Sequence, residues 1–243
     1  DLVERREVVV FDKERETVLG RREVRYADLV LDTVTIQTPR GEDVEACLLA
    51  AARADLPRAL DLEAEEVAQL RHRVACLRDG FGDAALPALD DEAVSAALES
   101  LDGGKRSFAE MKRASLADAL RGLFTWKQLQ FLDREAPERI EVPSGSRLRL
   151  RYAPGRPPVL AVKIQELFGL EETPRVAGGR VKVLLHLLAP NHRPQQITDD
   201  LPSFWTTGYA AVRAELRRRY PRHAWPEDPR RARAEKRPRR RRS

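Results

Sequence analysis

Cysteine and histidine are scarce in this chain: two and four residues among 243. Cys47 and Cys76 lie far apart on predicted helices, with neither disulfide-framework nor paired-ligand spacing, which fits a reducing cytoplasm. His72 and Cys76 stand four apart on one helical face. Zinc needs three or four ligands, and no further ligand cluster is visible, so the pair reads as a buried thiol beside a surface histidine and no metal site is assigned. Long apolar runs are also missing. The longest is near VLLHLLA, well short of the ~20 residues that span a bilayer, which excludes a membrane span. The first residues already read as a strand, with no apolar signal core behind a basic start. Aromatic residues make up only 6%, whereas charged residues make up 34% and hydrophobic ones 42%. Such a chain folds with a heavily charged surface.

The formal charge of +5 is unevenly spread. Nine of the 44 basic and one of the 39 acidic residues fall in the last segment, RRARAEKRPRRRRS, so the tail carries +8 and residues 1 to 229 carry 35 cations against 38 anions, a net −3. The folded part is therefore not basic. The tail has no apolar residue beyond alanine to offset its ordering entropy, and residues 230–243 are expected to be disordered.

Nucleotide motifs fail on inspection. Gly103, Gly104 and Lys105 approach a P-loop, but the pattern needs glycine where Glu99 stands and Ser or Thr where Arg106 stands. The stretch Asp91, Glu92, Ala93 and Val94 resembles a DEAH box without its histidine, yet its acids open a helix. No catalytic residue is assigned. His186 lies in an apolar strand with no paired base or nucleophile, which makes it structural. His192 and His223 fall in turn and tail segments.

The strand and helix periods divide the rest. LVERREVVVFD and TVLGRREVRYADLVLDTVTI, joined by KERE, read as a hairpin over residues 1–40. An isolated hairpin is marginal in water, so this unit needs further strands to stand. Residues 41–137 change to helical period. Val44, Cys47, Leu48 and Ala51 form one face, and Val67, Leu70, Val74 and Leu77 another. Further helices are predicted at 91–101 and 116–132; the second is opened by Ser115 and carries Leu116, Leu120, Leu123 and Leu129 with Phe124 and Trp126. This is a small helical bundle.

From residue 138 the period returns to two. ERIEV and SRLRLRYA flank the hairpin turn VPSGS, with Leu148 and Leu150 alternating against Arg147, Arg149 and Arg151. Ala161 to Phe168 are read as a short helix, because Ile164, Leu167 and Phe168 recur at helical spacing. RVKVLLHLLAP is a strand apolar on both sides, hence central. After the turn NHRP and a short strand at QQIT, Asp199, Asp200 and Pro202 mark a helix start. Phe204, Trp205, Tyr209, Val212 and Leu216 then form one stripe, and Pro221 ends the helix. The fold class is thus α+β: an N-terminal β-hairpin, a helical bundle, a C-terminal mixed α+β domain over 138–229 and a disordered basic tail.

The run ITDDLPSFW, then Tyr209, Val212, Arg213 and Glu215, then RRYPRHAWPEDP, resembles the closing signature of the HrpB-type bacterial helicases of the DEAH-box class. The similarity continues through VPSGSRLRLRYAPGRPPVLAVKIQELFGL and GGRVKVLLHLLAP, and more loosely through the opening strands and LRHRVACLRD. It implies that the first strands close a barrel-like domain, and that this is the accessory region of an RNA-directed, ATP-dependent enzyme. It also implies that ATP and Mg belong to two RecA-like domains earlier in the same polypeptide, of which this chain is a cut piece. The segment itself is expected to carry no cofactor and no ATPase activity.

Trp205, Tyr209, Tyr220 and Trp225 are the structural signature. Trp205, Tyr209 and Trp225 could stack on RNA bases, but Trp205 and Tyr209 stand among aliphatics at helical spacing and read as packing residues, and Trp225, beside Pro226 and His223, reads as pinning the extended end onto the domain. The nucleic-acid-binding candidates are Arg147, Arg149 and Arg151, presented together on one strand face, and Arg239, Arg240, Arg241 and Arg242 of the tail. Two function classes follow. One is a helicase accessory module that contacts RNA or the helicase core. The other is a protein-interaction module whose basic tail binds RNA, ribosomes or anionic membrane without specificity.

Overall fold

The computed structural model describes residues 3–37, 41–82 and 86–237. They divide into two compact units: residues 1–71 with 87–125, and residues 72–86 with 126–243. The helical stretch expected as one region, 41–137, is therefore shared between the two units.

In the first unit β1 (Val3–Asp12), β2 (Thr17–Tyr26) and β3 (Leu29–Ile36) form an antiparallel meander. Three strands replace the expected hairpin because Ala27, at φ 51°, reverses the chain inside the second run. The KERE turn forms as expected, with Asp12 Oδ1 accepting from the amides of Glu14 and Arg15. Helices α1 (Glu42–Ala54), α2 (Leu56–Ala59), α4 (Asp91–Asp102), α5 (Phe108–Arg113) and α6 (Leu116–Arg121) belong to this unit. Asp55, Asp90, Ser107 and Ser115 cap α2, α4, α5 and α6 by accepting amide hydrogen bonds from Arg58, Ala93, Glu110 and Asp118. The sheet is tied to the start of α5 by Val18 N–H donating to Arg106 O and Phe108 N–H donating to Glu16 O. Phe11 and Phe108 stack with centroids 4.6 Å apart. β3 stays exposed along nearly its whole length, including Leu29, Leu31 and Val34.

Helix α3 (Glu65–Phe81) contributes residues to both units, and its predicted face, Val67, Leu70, Val74 and Leu77, is buried. The expected helix over 116–132 is two: α6 ends at Gly122, and α7 (Trp126–Glu135) starts afresh. Trp126 is 70% exposed and so leaves the predicted apolar stripe.

The second unit is built on a five-stranded sheet in the order β10-β9-β6-β5-β4. Its strands are β4 (Arg139–Glu141), β5 (Arg147–Ala153), β6 (Arg156–Lys163), β9 (Leu184–Leu188) and β10 (Pro194–Thr198). β6 and β9 run parallel, while the other neighbours are antiparallel. A two-stranded ribbon, β7 (Arg175–Val176) with β8 (Val181–Lys182), lies in the crossover. The helix expected at Ala161–Phe168 is not present: residues through Lys163 complete β6, and Ile164–Leu167 make one 3-10 turn. Alternation of buried Leu160 and Val162 with exposed Ala161 decides for the strand, and the helix-like spacing of Ile164, Leu167 and Phe168 comes from that single turn. The strand expected at RVKVLLHLLAP is divided between β8 and β9; β9 lies inside the sheet, second in its order, with Leu185 and Leu187 buried and the side of Leu184, His186 and Leu188 only half-buried.

Asp200 accepts from Ser203 N–H and Pro202 sits in the first turn of α8 (Leu201–Ser203). The helix then widens into a π-turn, Phe204–Gly208, before α9 (Tyr209–Arg219). The tail departs from expectation. Residues 230–237 follow a defined path, with Glu235 N–H donating to Gln165 O at 3.0 Å and Lys236 Nζ donating to Gly145 O at 2.9 Å. Composition had argued for disorder because it counts apolar surface; what holds this segment is hydrogen bonding to backbone carbonyls.

Candidate nucleic-acid interface

β5 reads Arg-Leu-Arg-Leu-Arg, and strand alternation sends its two residue types to opposite faces. Leu150 and Tyr152 are buried, while Arg147, Arg149 and Arg151 are all exposed. The register brings further residues to the arginine side. Arg139 of β4 lies opposite Arg149, and its guanidinium donates to Arg147 O at 3.3 Å. Glu141 lies opposite Arg147 and offsets part of its charge. Val159 faces Arg151 across β6, and Leu184, His186 and Leu188 of β9 pair with Val159, Ala161 and Lys163. At the far edge Ile197 pairs with His186 and is 58% exposed. The other face is the core, with Leu160, Val162, Leu185 and Leu187 all buried.

Local hydrogen bonds hold the turn that starts β5. Gly145 takes φ 74°, Val142 N–H donates to Ser146 O, and the Glu166 carboxylate accepts from the hydroxyls of both Ser144 and Ser146. Arg139, Lys163 and the Ser144–Ser146–Glu166 cluster escaped the sequence reading. Arg139 was findable, because pairing ERIEV with SRLRLRYA through VPSGS sets it against Arg149.

The aromatic candidates are packing residues. Trp205 is 5% exposed, surrounded by the rings of Phe168, Phe204 and Tyr209, and its Nε1 donates to Leu170 O at 2.8 Å. Tyr209 donates through its hydroxyl to Pro226 O. Trp225 is buried and donates from Nε1 to the carbonyl of Tyr220, the residue that closes α9. Arg213 also holds this segment, its Nε donating to Trp225 O and its Nη2 pairing with Glu227. Arg239, Arg240, Arg241 and Arg242 lie outside the described residues.

Burial pushes the Tyr209 phenol well above its ordinary range, with Arg213 opposing, and burial does the same to Tyr152. The neutral phenols stabilise the fold fully below the unfolded-state value near 10. That contribution is lost as pH rises past it toward the raised folded value. Tyr209→Phe should therefore lower stability at pH 7 through loss of the Pro226 contact, yet flatten the fall between pH 9 and 11 in thermal melts. An unaltered alkaline slope in that variant would remove Tyr209 from the account.

The remaining candidates take structural places. His72 Nδ1 lies 3.1 Å from Tyr152 O. Burial raises the Cys76 thiol above its usual range. His186 sits half-buried on the open sheet face. His192 has φ 65° in the turn before β10. His223 is pushed down chiefly by burial, with Glu235 opposing and Lys163 adding to the shift. Among the described residues no group of three His, Cys, Asp or Glu is placed to hold a metal, and no helix is long and apolar enough to cross a membrane. Gly103 closes α4 in the left-handed region, and Asp91 and Glu92 form that helix's first turn, so neither nucleotide look-alike has a strand before it.

These features define an α+β module with an open sheet face bearing arginines on one side of a sealed core. Residues 97–229 match the family described as ATP-dependent helicase C-terminal, HrpB_C, and the chain belongs to the HrpB family. It is 37% identical over 232 residues to the ATP-dependent RNA helicase HrpB of Escherichia coli K12, covering 94% of this chain and 29% of that protein. The crystal structure of the E. coli DExH-box NTPase HrpB superposes with a TM-score of 0.78 at 36% identity, over 96% of this chain and 29% of that one. A second crystal structure, described as the E. coli DEAH/RHA helicase HrpB, gives 0.68 at 36% identity, over 93% and 29%. This chain therefore spans 29% of the length of the relatives it matches.

Proposed function

We propose that this region is the accessory C-terminal part of a bacterial, cytoplasmic, ATP-dependent RNA helicase and that it assists RNA binding. ATP and Mg would be held by RecA-like domains elsewhere in the same polypeptide. The observation that carries the reading is the side-by-side display of Arg139, Arg147, Arg149 and Arg151 on one exposed sheet face. Guanidinium groups so placed contact phosphates and fix position without reading sequence. No Phe, Tyr or Trp of the five strands is on that side to stack on a base, which also favours sequence-blind contact.

The triple variant Arg147→Ala, Arg149→Ala, Arg151→Ala tests it by fluorescence anisotropy on single-stranded RNA across a salt series. Loss of three phosphate contacts should flatten the log–log salt slope by about 2. Unchanged affinity and slope would defeat the reading. Packing on the helicase core is the second reading, and the exposed β3 favours it, since Leu29, Leu31 and Val34 remain 64%, 54% and 53% exposed.

A further inference from the structure

The tail and the arginine face looked like rival sites in the sequence; their geometry joins them. Three hydrogen bonds fix the path of the tail: Gly169 N–H to Pro229 O at 2.9 Å, Glu235 N–H to Gln165 O at 3.0 Å, and Lys236 Nζ to Gly145 O at 2.9 Å. Gly145 lies in the β4–β5 turn, two positions before Arg147, where the arginine row begins. The tail thus reaches the sheet at the end of that row rather than at a remote edge. Lys236 and Arg237 are both exposed there.

We infer that Lys236 and Arg237 continue the row of Arg147, Arg149 and Arg151 as one cationic track for the backbone of a single RNA strand. The inference rests on the RNA-binding reading above. Side chains two apart on a strand repeat every ~6.6 Å, a step that an extended single strand can match phosphate by phosphate. Glu141 beside Arg147 and Glu235 beside Lys236 place anions along the same path, so the track depends on all its cations rather than on one.

Two halves gripping one strand act through effective concentration, whereas two separate sites act independently. The test uses three proteins: the whole chain, the Arg147, Arg149 and Arg151 triple alanine variant, and a Lys236→Ala, Arg237→Ala variant, which keeps the rest of the tail and the Glu235–Gln165 hydrogen bond. Each is titrated with a labelled 12-nucleotide oligouridine, with stoichiometry read from the plateau and melting checked for unchanged folding. A single track gives one oligonucleotide per chain and a loss of about tenfold or more in each altered protein. It also gives RNA protection of Lys236 from acetylation, seen by mass spectrometry, that disappears in the triple variant. Two independent sites give two oligonucleotides per chain, losses of no more than about twofold and Lys236 protection that survives the triple change, and that result overturns the track. If only the Lys236→Ala, Arg237→Ala variant loses binding, the arginine face does not contact RNA, and the reading on which the track rests falls with it.

Discussion

Replacing Trp205 with alanine should destabilise the second unit by about 3 to 5 kcal/mol, the usual result of truncating a buried aromatic residue. The indole is 5% exposed and holds together the rings of Phe168, Phe204 and Tyr209. Its Nε1 also satisfies the Leu170 carbonyl. Trp205→Phe separates the two contributions, because it keeps most of the ring packing and loses the hydrogen bond, and about 1 kcal/mol should then be lost. Urea denaturation of both variants measures the difference. With the exposed Trp126 replaced by Phe, a quencher-accessible Trp205 indole together with an unshifted midpoint in Trp205→Ala would contradict the packing role and return Trp205 to the RNA-stacking candidates.

Arg73 gives the second large effect. It lies on α3 at 2% exposure, and its guanidinium donates to Ala136 O at 2.6 Å, Glu138 Oε1 at 2.9 Å and Asp133 Oδ1 at 2.6 Å. Asp133 and Glu138 remain 73% and 54% exposed, so water recovers them when the arginine is removed and their ion pairs contribute little. The main loss is the orphaned carbonyl of fully buried Ala136 together with the packing of the arginine stem. Arg73→Ala should therefore destabilise by about 2 to 3 kcal/mol, with little dependence on salt. A strong salt dependence of the difference would instead assign the effect to the ion pairs.

Arg73 also shows where reading the sequence stops. A single arginine among LRHRVACLRD carries no periodic signal to separate it from Arg71 or Arg78, and its partners come from residues 60 or more positions away. The predicted elements that held were those with local causes. The Asp200 and Pro202 helix start, the Ser115 cap, the apolar face of α3 and the alternation of β5 all depend on near neighbours, whereas in α1 Ala52 is buried with Val44 and Leu48 and the expected Cys47 and Ala51 are only half-buried. Where a tertiary contact decided, the reading failed. Ala161–Lys163 is a strand because β9 pairs with it, and Arg230–Arg237 is placed because carbonyls of Gly145 and Gln165 receive it. For the candidate site, the three arginines of β5 were legible, whereas Arg139, Lys163 and the path of Lys236 depend on strand register and loop position.

The single parallel pairing among the described residues of the second unit bears on how the sheet assembles. β4, β5 and β6 are consecutive antiparallel neighbours, and β9 with β10 form another local pair, so each group closes through a short loop. Only the β6–β9 seam, where Leu160 meets Leu185 and Val162 meets Leu187, must wait for a longer connection through the 3-10 turn and the β7–β8 ribbon. Loop-closure entropy delays such a contact until the local pieces exist. Residues that gain their neighbours late influence escape from the native state more than arrival at it. Leu160 and Leu185 should accordingly govern how long the folded sheet persists, while the β4–β5 turn governs how quickly it is reached.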